Sequence, residues 1–322
     1  MDYLDPAMTP AILKFNPEEN EFQDSVRRWQ AAPSVEALDN GSVFVIFYGG
    51  AEPEVPGNYI KVIISTDRGL TFSGDSIVIK HPDPAIRLYD PNIWLDPEGR
   101  LWLFWNQGRG FNDGRAGVWA SVCQHPQVPF RELTFSEPRR IANGVMINKP
   151  LVLSSGEWLL PCAIWISEPP TEDHGLQDEY YPNVYISSDR GKTFHLLGHA
   201  DMPNRSFDEH MLYEKKDGTI WMLSRTFDGI GESFSKDKGR TWSAGRKCHI
   251  DGPCSRFFIR RLSSGNLLMV NHYQFEERID LEEIRKQGPV KSWRGRTNLT
   301  AMISRDEGQT WAGTLLLDPR ND

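Results

Sequence analysis

Apolar residues in this chain come in short runs, each closed by a turn that carries glycine. Val43-Phe-Val-Ile-Phe47, Leu101-Trp-Leu-Phe104, Trp158-Leu-Leu160, Ile220-Trp-Met-Leu223 and Leu267-Leu-Met-Val270 are such runs. Each follows a turn: Asp39-Asn-Gly41, Asp96-Pro-Glu-Gly99, Ser154-Ser-Gly156, Lys216-Asp-Gly218 and Ser263-Ser-Gly265. The turn glycines lie 58, 57, 62 and 47 residues apart. The runs are too short for packed helices and lack a 3.6-residue period, so they predict strands. A repeat of this length, with about four strands per unit, predicts an all-β chain built as a β-propeller.

A second repeat is interleaved with the first. Ser65-Thr-Asp67-Arg-Gly69-Leu-Thr71-Phe72, Ser187-Ser-Asp189-Arg-Gly191-Lys-Thr193-Phe194, Ser235-Lys-Asp237-Lys-Gly239-Arg-Thr241-Trp242 and Ser304-Arg-Asp306-Glu-Gly308-Gln-Thr310-Trp311 share one pattern. The aspartate accepts hydrogen bonds from the turn backbone, and glycine supplies the left-handed residue. The aromatic ring is expected to lie buried beneath the hairpin. Thr134-Phe-Ser-Glu-Pro138 matches the tail of a degenerate copy. With these phrases, residues 27 to 318 resemble the sialidase superfamily, whose "Asp boxes" or BNR repeats have this form. The resemblance implies a six-bladed propeller with the boxes away from its active face. Five blades are evident, and the last looks incomplete. Residues 1–26 read as an N-terminal extension in which Ala11-Ile-Leu-Lys-Phe15 is a candidate ring-closing outer strand. Residues 27–322 read as the propeller, with a charged insertion at 274–297.

The net charge of −8 and pI near 5.6 offer no basic surface for nucleic acid or an anionic membrane. No apolar stretch is long enough to span a bilayer, and Met1 to Asn16 lacks a signal-peptide core. Cys123, Cys162, Cys248 and Cys254 have no paired metal spacing and read as reduced core residues of a cytoplasmic protein. No cofactor and no metal site are expected.

Sialidases grip the sialic acid carboxylate with three arginines, polarise a nucleophilic tyrosine with a glutamate, and use an aspartate as acid and base. Guanidinium suits this because its planar fork pairs with a carboxylate in bidentate fashion. The resemblance maps the clamp to Arg28 (in Arg28-Trp-Gln-Ala-Ala-Pro33-Ser34), Arg225, and Arg296 with Arg294 as alternative. Glu209 takes the place of the polarising carboxylate. The loop 49–58 contains no aspartate, so Glu52 or Glu54 stands in for the acid, and no tyrosine lies beyond Tyr273. Arg87, Asp90, Asn148, Lys149, Asp208, His210 and Arg256 precede or begin inner strands and are candidate substrate-binding residues. Arg28, Asp90, Asn148, Glu209 and Arg256 are expected to line one funnel. The leading expectation is an exo-acting glycoside hydrolase for an acidic sugar. A polysaccharide lyase, in which His or Tyr removes the C5 proton of a uronate, and a non-catalytic carbohydrate-binding propeller are the alternatives.

Overall fold

The computed structural model describes residues 5–111, 114–165, 175–273 and 296–319. They divide into two compact units, the first ending at Lys149 apart from a short later piece. The first unit holds two antiparallel sheets. One contains β1 (Ile12–Phe15), β2 (Trp29–Ala37), β3 (Val43–Gly50), β4 (Tyr59–Ser65) and β5 (Ser76–Lys80), in the order β1-β5-β4-β3-β2. The other runs in sequence through β6 (Ile86–Leu95), β7 (Leu101–Arg109), β8 (Val118–Cys123) and β9 (Arg139–Ala142).

The second unit holds three more sheets, each ordered as in the sequence. The first is β10 (Leu151–Val152), β11 (Trp158–Ala163), β12 (Pro182–Ser187) and β13 (His195–His199). The second is β14 (Arg205–Glu214), β15 (Ile220–Thr226), β16 (Gly229–Ser235) and β17 (Arg246–Lys247). The third is β18 (Phe258–Arg261), β19 (Leu267–His272), β20 (Leu299–Ser304) and β21 (Ala312–Asp318).

The described residues form five sheets, which corrects the expectation of six blades: this is a five-bladed β-propeller. Each turn-then-strand unit of the sequence makes one sheet, and the last has all four strands, β18 to β21. The segment at Ile12–Phe15 adds a fifth strand to the first sheet, with Ile12 opposite Lys80 and Phe15 opposite Ile77. Residues 274–295 of the expected insertion, and with them Arg294, lie outside the described residues.

Successive residues of a strand face opposite sides of its sheet, so a strand covered on both faces reads as a continuous apolar run. Ile220 and Met222 of β15 pack with Leu159 and Val184 of the preceding sheet. Trp221 and Leu223 pack on the other side with Ile259, Leu267 and Met269. The core of this unit therefore lies between neighbouring sheets.

The repeated phrase forms the turn between third and fourth strands. In the first copy the Ser65 hydroxyl donates to Asp67 Oδ1 at 2.7 Å and accepts from the Gly69 amide at 2.9 Å. The Thr71 amide and hydroxyl donate to the two Asp67 oxygens at 2.8 and 2.6 Å. The other copies repeat these bonds. The residue before each glycine is left-handed too: Arg68, Arg190, Lys238 and Glu307 have φ of 64°, 61°, 62° and 60°.

The degenerate copy keeps the closing bond. Ser136 donates its amide to Val122 O at 2.9 Å, as Ser243 does to Phe234 O at 2.8 Å. The aromatic residues are a correction. Trp242 and Trp311 are half-buried, each packed at the edge of a core cluster, and Phe72 is exposed.

Candidate functional site

Three first strands lose regular pairing at a matching place: between Ala31 and Ser34 in β2, between Tyr89 and Asn92 in β6, and around Asp208 in β14. Ala32, Asp90, Asp208 and Glu209 there have φ of 45°, 44°, 57° and 40°. Left-handed backbone costs a non-glycine residue roughly 1–2 kcal/mol. Bulges of this kind re-aim side chains and often border functional sites.

In the second unit the β14 bulge sends its two acids to different arginines. Asp208 is fully buried and takes both prongs of Arg205, Nε at 2.9 Å and Nη2 at 2.6 Å. Burial pushes the Asp208 pKa up, against the opposing pull of Arg205. Arg205 also donates to the carbonyls of Ile164 and Tyr180, so this pair braces the bulge from beneath. Glu209 meets Arg225 instead, Nη1 to Oε2 at 2.9 Å. The Arg225 guanidinium lies 4.9 Å from the Phe207 ring centre and donates Nε to Cys254 Sγ at 3.4 Å.

Arg225 is 4% exposed, yet its Nη2 has no hydrogen-bond partner among the described residues. Burial works against its charge, but Glu209 and Cys254 together outweigh that and raise its pKa. Half-buried Arg296 reaches the same cysteine, Nη2 to Cys254 O at 3.4 Å. Cys254 thus joins two of the expected clamp arginines. His210 is fully buried, donates Nε2–H to Asn183 O at 2.8 Å, and is held neutral by a pKa of about 3, burial being the cause. Arg256 is half-buried just before β18.

The first unit has its own acid–arginine cluster. Arg87, 1% exposed, donates Nη2 to Glu54, while its Nε and Nη1 have no partner among the described residues. Its guanidinium lies 4.3 Å from the Tyr89 ring centre and 5.4 Å from that of Phe111. Tyr48 donates its hydroxyl to the other Glu54 oxygen at 2.6 Å. Burial first, then the charges of Asp90 and Glu54, drive the Tyr48 pKa far above its ordinary value. Tyr48 is therefore a neutral donor that positions Glu54. Asn106 pins the β6 bulge, donating to Asp90 O at 3.0 Å and to Met146 O at 3.3 Å.

Of the two acids offered by loop 49–58, Glu54 enters this cluster and Glu52 is exposed. Arg28 is exposed as well; its neighbour Arg27 packs on Phe47, 5.0 Å from the ring centre. Asn148 is buried, and Lys149 holds Glu36 and the Val35 carbonyl. Sequence reasoning missed Tyr48 and Cys254. Tyr48 ends an apolar run and reads as core, and nothing local marks Cys254 as a bridge between arginines.

The family model that matches is described as a BNR repeat-like domain and covers residues 60–322. No curated protein is matched. Among solved structures, a Hadza microbial sialidase, Hz136, superposes with TM-score 0.65 at 17% identity, covering 92% of this chain. The chain spans 60% of that sialidase's length. A protein of unknown function from Dyadobacter fermentans gives TM-score 0.66 at 16% identity, covering 92% of this chain and 85% of the other. Trypanosoma rangeli sialidase in complex with sialic acid gives 0.57 at 14% identity, covering 86% and 46% respectively. At these identities the likeness is one of fold.

Proposed function

The chain belongs to the BNR repeat-like family, within the sialidase superfamily of β-propellers, and from that premise we propose that it is a sialidase-like glycoside hydrolase acting at the end of an acidic glycan. The four repeated turns read as Asp boxes of that superfamily. One observation carries the functional reading: Arg225 is nearly inaccessible to water, is anchored by Glu209, and keeps Nη2 without a partner among the described residues. Buried polar groups in native proteins are almost always bonded, so an open guanidinium N–H calls for an acceptor from outside. A carboxylate is the acceptor whose geometry fits, and Arg296, tied to the same Cys254, is the second donor.

Glycoside hydrolysis needs an acid at the leaving oxygen and a carboxylate at the anomeric centre. Glu209 is the second unit's candidate carboxylate: it is 11% exposed in its side chain and held by Arg225. Glu54 lies in the loop where the resemblance asks for an acid, with both oxygens engaged by Tyr48 and Arg87. The lyase reading draws less support, because His210 is buried and its Nε2 is spent on a backbone carbonyl. Four buried free thiols support a reducing, cytoplasmic setting.

The test compares an acidic sugar with its neutral methyl ester. The acid is expected to bind about ten- to a hundredfold more tightly, the range for a charge-assisted hydrogen bond. Arg296→Ala should erase most of that ratio. Equal binding of acid and ester by the unaltered protein defeats the carboxylate clamp. Turnover of a fluorogenic sialoside should fall by orders of magnitude in Glu209→Gln; an unchanged rate removes Glu209 from the chemistry.

A further inference from the structure

On the outer side of the fourth blade, Glu232 of β16 meets Cys248 and His249, which follow β17. One ligand atom from each, a carboxylate oxygen, Sγ and a ring nitrogen, lie within 4.8 Å of one another. Cys248 Sγ and His249 Nδ1 are 3.8 Å apart. That matches two ligands on one tetrahedral ion, given zinc–sulfur and zinc–nitrogen bonds of about 2.3 and 2.0 Å.

The outer partners of these groups make the stronger case. His249 Nε2 lies 2.9 Å from the Gly308 carbonyl, which accepts its proton. That bond fixes the tautomer and leaves the lone pair on Nδ1, facing the sulfur. The Trp221 indole N–H donates to Glu232 Oε2 at 3.0 Å and fixes that carboxylate as well. The Ile250 amide points at Cys248 Sγ at 3.5 Å, the sort of donor that stabilises a metal-bound thiolate. Ligands whose far atoms are already held by hydrogen bonds are characteristic of metal centres. Glu232 Oε1 is presently held by Arg246 Nε at 2.9 Å, but the Arg246 side chain is 70% exposed and free to swing into water.

We propose that Glu232, Cys248 and His249 form a binding site for a borderline-soft divalent cation of the zinc class. Three protein ligands leave the fourth position to water, since His249 is exposed. Binding releases the Cys248 proton to solvent and displaces Arg246 from Oε1. The ion clamps the end of β17 to β16, and through the His249–Gly308 bond to the last repeated turn. The site is independent of the proposed glycan chemistry.

Chelator-treated full-length protein is titrated with zinc, and separately with cobalt, whose thiolate complex absorbs in the near ultraviolet. One equivalent at micromolar affinity with a cobalt–thiolate band supports the site. The band should vanish in Cys248→Ala, and zinc affinity should fall at least tenfold in His249→Ala. His249 is exposed, so that variant folds even if Cys248→Ala does not. Trp221→Phe, which frees Glu232 Oε2, should weaken binding by about ten- to a hundredfold, as loss of outer partners does. No binding at tens of micromolar zinc, or a band and affinity unchanged in His249→Ala, overturns the proposal.

Discussion

His210 is shut away from water with its Nε2–H on the Asn183 carbonyl, and burial depresses its pKa to about 3. Unfolded, a histidine titrates at about 6.5, so below that pH the unfolded chain binds a proton the folded chain refuses. This stabilising contribution is complete above about 6.5 and is lost as pH falls toward 3, at up to about 1.4 kcal/mol per pH unit. The turn aspartates act with the same sign, lower down. Asp67, Asp237 and Asp306 are held at about 2, chiefly by the threonine hydroxyl and then its amide. Their contribution persists above the ordinary aspartate value of 3.8 and is lost between there and about 2. Unfolding free energy measured against pH should therefore fall in two stages. His210→Gln should flatten the upper stage and leave the lower one. A variant whose slope between pH 6.5 and 4 equals that of the unaltered protein would refute the assignment.

At the level of the hairpin, the same eight residues do two jobs with different energetics. The aspartate, threonine and serine bonds are all internal to the turn, so the motif was readable from sequence alone. Its packing was not. Lys238 reaches Glu157 on the preceding blade at 2.9 Å, and Glu307 takes Arg261, Tyr213 and the Lys216 amide. These partners come from the β10–β11 turn in one case and from β14, the β14–β15 turn and β18 in the other, distances no local pattern encodes. Ring burial separates the tryptophans. Trp242→Ala should cost about 1–2 kcal/mol, in keeping with a half-covered ring, whereas Trp221→Ala, 1% exposed, should cost about 3–5 kcal/mol. Denaturant titration of the two variants checks this, and equal losses would contradict the burial difference. The site shows the same division. Glu209 and Arg225 were legible because they flank one strand–turn–strand segment. Their connection to Arg296 through Cys254 joins segments far apart in sequence, and Glu232 with Cys248–His249 has no spacing that reads as a metal motif.

Across the whole molecule, the turn-then-strand repeat counted blades correctly at five; the sixth came from the resemblance and has no counterpart among the described residues. All-β character followed from apolar runs buried on both faces, a signal that each strand carries by itself. Ile12–Phe15 was expected as an outer strand and lies at a sheet edge; its partner was not legible, since an edge strand needs only a neighbour with open backbone groups. β1 lies beyond β5, its partners 62 to 68 residues further along the chain, and Ile12 and Phe15 remain 50% and 41% exposed. Little apolar burial holds it, so its amides should exchange with deuterium orders of magnitude faster than those of β3 and β4. Equal protection in β1 and β4 would disprove that ranking. The pairing also reverses the order of manufacture. A ribosome delivers Ile12–Phe15 before any other strand of that sheet, yet no seat exists for it until Ser76–Lys80 has emerged and docked. The earliest strand made must wait on its own downstream sequence, exposed to chaperones and to stray edges of other chains in the meantime.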